Sequence, residues 1–437
     1  MLYRIQKHIN HLPIKESNNN KQSVRILVLC ENSPYSVNGG GVLLNNLFKE
    51  FPAENLFFFH RNFNPPLKPI KFKENRLLWN WLRLDIIDFV RNILKWIYFV
   101  IKQPGAFRIS DLADIFLQSS RFHFPSAVDK EIRNFNPEII YSWVASPLWA
   151  NTLQTLAVRY NLPYVIHFMD NHVEVNPVTP LEKVLQAKLV NSLSLLVRNA
   201  SGILSISDAM KHAYEKKWGI ESEVFHGSID TDNWPFPEER EQNNNFILLY
   251  NGSVDNGQLL GLIDIAKAVE LLHDKGFRIK LMILVSTSYS QVVIDSLSRF
   301  KCVDIQLQSN FINLRYYLIN ADLLIIAYGF DDKTVSYFKY SFATKVVPYM
   351  LSGQCILAYG PSEIEPIDYI KRGQWGVTVT VQNIESIATA VSNLYNNPNE
   401  RMRLAKLAWT AAKDEHDSLA NGIRFANYVR CLINKKV

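Results

Sequence analysis

Three consecutive glycines, Gly39 to Gly41, stand in the stretch SPYSVNGGGVLLNNLFKEF between an apolar run and an amphipathic one. Bare backbone at such a place can do one kind of chemistry well. It offers N–H groups, at the positive end of a helix dipole, to a phosphate or sugar that approaches the main chain closely. A tight turn without a ligand is the competing reading. Two phosphate motifs can be tested by their letters. A P-loop needs Gly, four residues and then Gly-Lys-Ser/Thr, and no lysine follows the glycines here. A dinucleotide fingerprint could take Gly39 and Gly41 as its first two glycines, but its third position is Leu44. The next apolar run, NLFFFH, ends in His60 and Arg61 rather than in an acid that would hold a ribose. Neither a P-loop nor an NAD site is expected.

The elements that must position these glycines are readable on either side. VRILVLC, Val24 to Cys30, is short, β-branched and apolar on both alternations, which suits a strand buried on both faces of a parallel sheet. In VLLNNLFKEF the apolar residues Val42, Leu43, Leu47 and Phe51 recur at helical spacing. The glycines therefore fall at a strand-to-helix turn. Short apolar runs alternate with helical patterns along the whole chain, from RILVLC through EIIYSWV, PYVIHFM, FILLYNG, ADLLIIAYG and CILAYG to GVTVTV. That alternation is the signature of α/β, doubly wound architecture. The stretch from Asp230 to Asn245, DTDNWPFPEEREQNNN, is rich in proline, charge and asparagine and reads as a linker. Two Rossmann-like domains are expected, 23–230 and 246–400, joined by a linker at 231–245 and followed by a helical tail at 401–437.

Composition bounds the function classes. At 437 residues the chain is too long for one ordinary core, and 48% hydrophobic with 20% charged residues exclude global disorder. The formal charge of +6 suits anionic partners such as phosphates or a lipid surface and calls for no nucleic acid. Cys30, Cys302, Cys355 and Cys431 are far apart with no metal-ligand spacing, so a reducing, cytoplasmic setting is expected and no metal. The first 22 residues lack an uninterrupted apolar core and read as a flexible leader rather than a signal peptide. Between Lys68 and Lys102, eight Lys or Arg face three acids, with Trp79, Trp81, Trp96, Tyr98 and Phe99 interleaved. Arg91 and Lys95 interrupt the apolar stretch, so it is no transmembrane span. A basic amphipathic helix of this kind either lies in a membrane interface or packs its apolar stripe on the first domain.

The order of motifs is similar to that of a known group. A glycine-rich stretch is followed by HFMDN, SISDAM, VFHGSID, YNGS and SFATKVVPYMLSGQCILAYGP. This succession resembles the GT-B fold retaining glycosyltransferases of family 4, many of which build bacterial surface polysaccharides. The resemblance covers nearly the whole chain from Val24 onward. It implies a metal-independent enzyme that moves a sugar from a nucleotide-sugar, UDP- or GDP-linked, to a glycan or lipid-linked acceptor, with no other cofactor.

The resemblance also implies roles. Gly39, Gly40 and Gly41 would line the interdomain cleft near the donor phosphate and the acceptor. His167 and Asp170 of HFMDN fall at a strand's C-terminal end, the side where open α/β sheets bind ligands. There an imidazole could hydrogen-bond the transferring sugar, and a carboxylate could orient the acceptor hydroxyl or His167. Asn171, Ser205 and Ser207 are further cleft candidates, although Ser207 could simply cap the helix after it. Gly252 and Ser253 of YNGS match the turn at the donor diphosphate. Thr344 and Lys345 head a helix where a hydroxyl, N–H groups and an ammonium could hold that diphosphate, although Lys345 could equally be a solvated helix lysine.

Two departures stand out. The family's paired glutamates, with seven residues between them, fall here on Tyr340 and Pro348, and GSVDNGQ lacks the usual Arg and Lys after the YNG strand. Three readings follow: a glycosyltransferase, a non-catalytic nucleotide-sugar-binding partner, and a sugar-nucleotide epimerase, for which a fuller set of carboxylates and histidines is expected.

Overall fold

The computed structural model describes residues 24–30, 39–60, 73–76, 82–83, 118, 121–122, 124, 126–237, 245–254, 256–286, 291–308 and 314–434. The leader at 1–22 and most of the basic segment at 68–102 lie outside the described residues. So does part of the linker, at 238–244.

The first half builds a seven-stranded sheet in the order β3-β2-β1-β6-β7-β8-β9. Its strands are β1 (Ile26–Leu29), β2 (Leu56–His60), β3 (Lys73–Arg76), β6 (Ile139–Trp143), β7 (Tyr164–Phe168), β8 (Gly202–Ser205) and β9 (Glu223–Val224). All neighbours pair in parallel. Two short strands, β4 (Leu82–Arg83) and β5 (Arg121–Phe122), form a separate antiparallel pair. The second half builds a six-stranded parallel sheet in the order β12-β11-β10-β13-β14-β15. Its strands are β10 (Phe246–Asn251), β11 (Ile279–Ser286), β12 (Val303–Gln308), β13 (Leu323–Ala327), β14 (Cys355–Tyr359) and β15 (Gly376–Val379). Strands β1, β2, β6, β7, β13 and β14 are buried along their whole length, as strands covered by helices on both faces must be.

Each sheet starts in its middle, grows outward, then returns and grows the other way. The reversal falls between β1 and β6 in the first domain and between β10 and β13 in the second. At such switch points the helices leave toward opposite faces and open a crevice at the strands' C-terminal ends. The glycine run follows β1 and the YNGS turn follows β10, so both candidate ligand segments stand at a switch point.

The chain crosses between domains twice. Ile229 donates its N–H to the carbonyl of His416 and accepts from the N–H of Ser418, both at 2.9 Å, and Thr231 Oγ1 donates to Asp417 at 2.9 Å. The two crossings thus run side by side. The expected helical tail is divided by them. Helix Pro398–Glu415 packs on the second domain, where the Trp409 indole donates to the Trp234 carbonyl at 3.0 Å. Helix Ser418–Asn434 returns to the first domain. There Phe425 meets Phe48, Phe51 and Tyr141 edge to face at 5.3, 5.9 and 5.8 Å. Aromatic pairs of this geometry contribute about 0.5–1.5 kcal/mol each beyond area burial.

Candidate active site at the two switch points

In the second domain the site grows from the end of β10. Tyr250 is buried beneath the turn, and its hydroxyl donates to the Ser253 carbonyl. Asn251 follows, its N–H donating to the Tyr349 hydroxyl at 2.8 Å. Its side-chain Oδ1 is buried with no hydrogen-bond partner. Gly252 then takes φ +131, a conformation that a side chain would strain, and donates its N–H to the Leu284 carbonyl at 3.1 Å. Helix Asn256–Asp274 starts just beyond. It packs tightly on the neighbouring strand's end, since a Cβ on Gly261 would lie 2.6 Å from the Tyr328 backbone nitrogen.

Lys345 reaches this turn from another element. It stands at the N-cap of helix Val346–Leu351, and its ammonium lies 3.7 Å from the centroid of the Tyr250 ring. The same ammonium is 2.9 Å from where a Cβ of Gly252 would stand. The structure therefore brings together Gly252, Ser253 and Lys345, with Thr344 exposed beside them. A cation resting on an aromatic face beside bare backbone and an unsatisfied amide oxygen is equipped to receive a phosphate on one side and a hydroxyl on the other. Asn251, Tyr250 and Tyr349 were not among the expected site residues. The Asn251 side chain could have been singled out from its position between a strand end and a glycine.

In the first domain the glycines are not a loop. Gly39, Gly40 and Gly41 form the first turn of helix Gly39–Leu47, so the expected strand-to-helix turn ends before them. Their backbone still belongs to the helix's N-terminal turn, the positive end of its dipole. Leu43, Leu44 and Leu47 of this helix and Phe48 just after it are buried, whereas Val42, expected on the apolar stripe, is exposed.

The expected catalytic pair is separated by its surroundings. His167 is completely buried, with Nδ1 2.7 Å from the Tyr141 hydroxyl. Burial lowers its pKa to about 3, so the ring is neutral. Its Nε2 makes no hydrogen bond. Alternation along β7 turns the ring into the core beside Tyr141, which itself packs against Phe48 and Phe425, and so away from any open cleft. Asp170, two residues past the strand, is one-third exposed with Oδ2 4.0 Å from His172 Nε2. His172, missed in the sequence, is thus the imidazole that shares this strand end with Asp170.

The three cleft candidates are all committed to structure. Ser205 is buried and bonds Ser222 Oγ at 3.0 Å within the first domain. Ser207 caps helix Asp208–Trp218 by accepting from Met210 N at 3.1 Å, and its hydroxyl donates to the Tyr340 carbonyl at 2.7 Å. Asn171 Nδ2 donates to the Ser336 carbonyl at 2.7 Å, so it too reaches the second domain. Of the two positions lacking carboxylates, Pro348 lies in the first turn of helix Val346–Leu351, where a missing N–H costs no helix bond. Tyr340 is buried and donates its hydroxyl to Glu174 Oε2, in the first domain, at 2.9 Å. Burial, reinforced by Glu174, pushes the Tyr340 phenol up to about 12.

Asp331 of GFDDK accepts from Thr334 N at 3.0 Å and Thr334 Oγ1 at 2.6 Å, capping helix Asp332–Phe338. Among the described residues no group of three His, Cys, Asp or Glu side chains is placed to hold a metal ion. Nor, among the described residues, is any helix long and apolar enough to cross a membrane.

No family model matches the sequence, and no curated protein matches it. Solved structures do match over nearly the whole chain. Anabaena Alr3699/HepE, solved in complex with UDP and glucose, superposes with a TM-score of 0.63 at 14% identity, over 93% of this chain and 99% of its own. Sucrose-phosphate synthase of Thermosynechococcus elongatus gives 0.67 at 13% identity, over 94% and 100%. The UDP-forming α,α-trehalose-phosphate synthase of Burkholderia vietnamiensis gives 0.60 at 11% identity, over 93% and 100%. The chain has the GT-B fold of these proteins, with two doubly wound domains and a C-terminal helix.

Proposed function

We propose that the protein is a nucleotide-sugar-dependent glycosyltransferase of the family 4 type, transferring a hexosyl group with retention to a glycan or lipid-linked acceptor in surface polysaccharide synthesis. The observation that carries this reading is the Lys345 ammonium over Tyr250 and Gly252, at the second domain's switch point. As the anomeric bond breaks, the leaving diphosphate gains charge, and a preorganised ammonium with oriented N–H groups stabilises it in a dehydrated cleft. Thr344 and Ser253 add hydroxyls at the rim, and Asn251 Oδ1 is an acceptor for a sugar or ribose hydroxyl. The first-domain wall is the glycine turn Gly39–Gly41. Asp170 orients the acceptor hydroxyl, with His172 as its neighbour, while His167 serves the strand's core. The names of the similar structures, which bind UDP and glucose or form UDP, support a uridine-linked donor.

A second reading, a nucleotide-sugar-binding partner without transfer activity, is favoured by one observation: neither Tyr340 nor Pro348 supplies a carboxylate, and the Tyr340 hydroxyl is already bonded to Glu174. A panel of UDP- and GDP-sugars decides between the two. Binding seen as protection against thermal unfolding, together with slow donor hydrolysis, supports transfer; protection without hydrolysis supports the partner reading; no protection by any donor defeats both. The basic segment 68–102 is proposed to hold the enzyme at an anionic membrane face, and flotation with phosphatidylglycerol vesicles tests that separately.

A further inference from the structure

One loop of the first domain grips one segment of the second. Asn171 lies in the loop after β7 and makes three side-chain hydrogen bonds. Its Oδ1 accepts from Glu174 N at 3.0 Å and Tyr214 OH at 3.2 Å, while its Nδ2 donates across to the Ser336 carbonyl at 2.7 Å. Asn176 N donates to Ser336 Oγ at 3.3 Å. Tyr340 OH donates to Glu174 Oε2 at 2.9 Å, and Ser207 Oγ donates to the Tyr340 carbonyl at 2.7 Å. Four hydrogen bonds therefore join the domains over five residues, Ser336 to Tyr340. A broken one would strand buried polar groups, since Asn171 and Ser207 are both essentially inaccessible.

The gripped segment continues directly into the diphosphate site. Two residues past Tyr340, Phe342 stacks on His226 with ring centroids 5.4 Å apart and meets Tyr369 edge to face at 5.2 Å. Three residues further, Lys345 lies over Tyr250. The span 336–345 is thus fixed at one end to the first domain, in its middle at the crossing, and at its far end carries the cation. Its short tether leaves little room for the ends to move independently.

We propose that Glu174 and Tyr340 are positioning residues: their hydrogen bond clasps the domains and sets where Lys345 stands over the turn that receives the diphosphate. This rests on the nucleotide-binding reading above. Domain closure and nucleotide binding are then one equilibrium, because the ligand prefers the state in which the cation is placed. Glu174 is also 3.6 Å from Lys217 Nζ, a contact one-third exposed that orients the carboxylate without holding the domains together.

The test uses the full chain with Tyr340→Phe, Glu174→Ala and Glu174→Gln, the last keeping an oxygen that can accept the Tyr340 hydroxyl. UDP affinity by calorimetry should fall about ten- to hundredfold in Y340F and E174A, the loss expected for one hydrogen bond to a charged group. Glu174→Gln should recover most of it. A merely structural contact would lower the melting temperature in all three variants alike and leave the affinity of the folded protein within twofold of wild type, which would overturn the proposal. Hydrogen exchange of the Asn176 amide reports the clasp with no nucleotide present. It should speed up at least tenfold in Y340F and E174A, and unchanged protection overturns the clasp itself. If wild type binds neither UDP nor GDP, the donor-site reading fails, and the exchange measurement still judges the clasp.

Discussion

The Lys345 ammonium and the Tyr250 ring are stacked at 3.7 Å, and the two residues come from different elements of the second domain. Tyr250 is the last residue but one of strand β10, whereas Lys345 opens a short helix. The aromatic face holds the charge in one place without neutralising it, which fixes the cation beside the Gly252 turn. Lys345→Ala should weaken UDP or GDP binding about ten- to hundredfold, since hydrogen bonds to charged groups contribute about 1.5–3 kcal/mol. Calorimetry measures this. Unchanged affinity would remove Lys345 from the site.

Gly252→Ala attacks the same place through the backbone. The new Cβ would face the Lys345 ammonium at 2.9 Å and force a residue with a side chain to hold φ +131. The lysine tip can swing away, but the backbone strain remains at roughly 1–3 kcal/mol. A drop of several degrees in melting temperature is expected, together with loss of UDP binding. A variant as stable as wild type would show that the turn tolerates a side chain.

Gly40→Ala separates structure from function in the first domain. Gly40 is helical, and in a helix Ala is favoured over Gly by about 0.8–1 kcal/mol. If the glycine turn is there for close approach of a sugar or phosphate, the substitution should leave stability equal or raised while transfer falls about tenfold or more. Donor turnover measured beside urea unfolding distinguishes the cases: full turnover would assign the glycines to packing alone.

Acid should destabilise the fold through its histidines. Burial lowers the pKa values of His167, His226 and His416 to about 3, 4 and 3. Below the ordinary value near 6.5 the unfolded chain takes up protons that these sites refuse, so their contribution to stability is present above pH 6.5 and is lost as pH falls. Glu365 acts oppositely. Burial raises its pKa to about 7, so the folded chain holds a proton that the unfolded chain releases near 4.5, and its contribution fades as pH rises toward 7. The histidines outnumber it, leaving a net difference of about two protons near pH 5.5 and a slope of roughly 2.5 kcal/mol per pH unit. Urea unfolding from pH 7 to pH 5 checks the sign: a flat or rising stability on acidification would contradict the buried, neutral histidines.

The alternation of strand and helix was legible because β1, β10 and β13 are so uniformly apolar that only a sheet covered on both faces suits them. Gly252 and Lys345 were legible by residue type, as bare backbone after a strand and a cation heading a helix. His167 was not, because the letters around it show that it lies on a strand but not which face of the sheet is filled. Its partner Tyr141 is 26 residues away in the chain. The contact of Glu174 with Tyr340 spans 166 residues and joins two domains, so no local pattern announces it. Ser207 was legible as a helix cap, but the partners across the fold were not: Ser205 faces Ser222 and Ser207 the Tyr340 carbonyl, and nothing in SISDAM announces either.

The return of helix Ser418–Asn434 onto the first domain has a bearing on how the protein is made. Phe425 closes an aromatic cluster with Phe48 and Tyr141, so the core begun by the earliest strands waits for a helix made only after the whole second domain. The second domain, complete by helix Pro398–Glu415, can fold while the first is still missing a wall. Synthesis from the N-terminus therefore does not impose an N-terminus-first order of folding, and until helix Ser418–Asn434 is made the exposed Phe48 face is a surface for chaperones to cover.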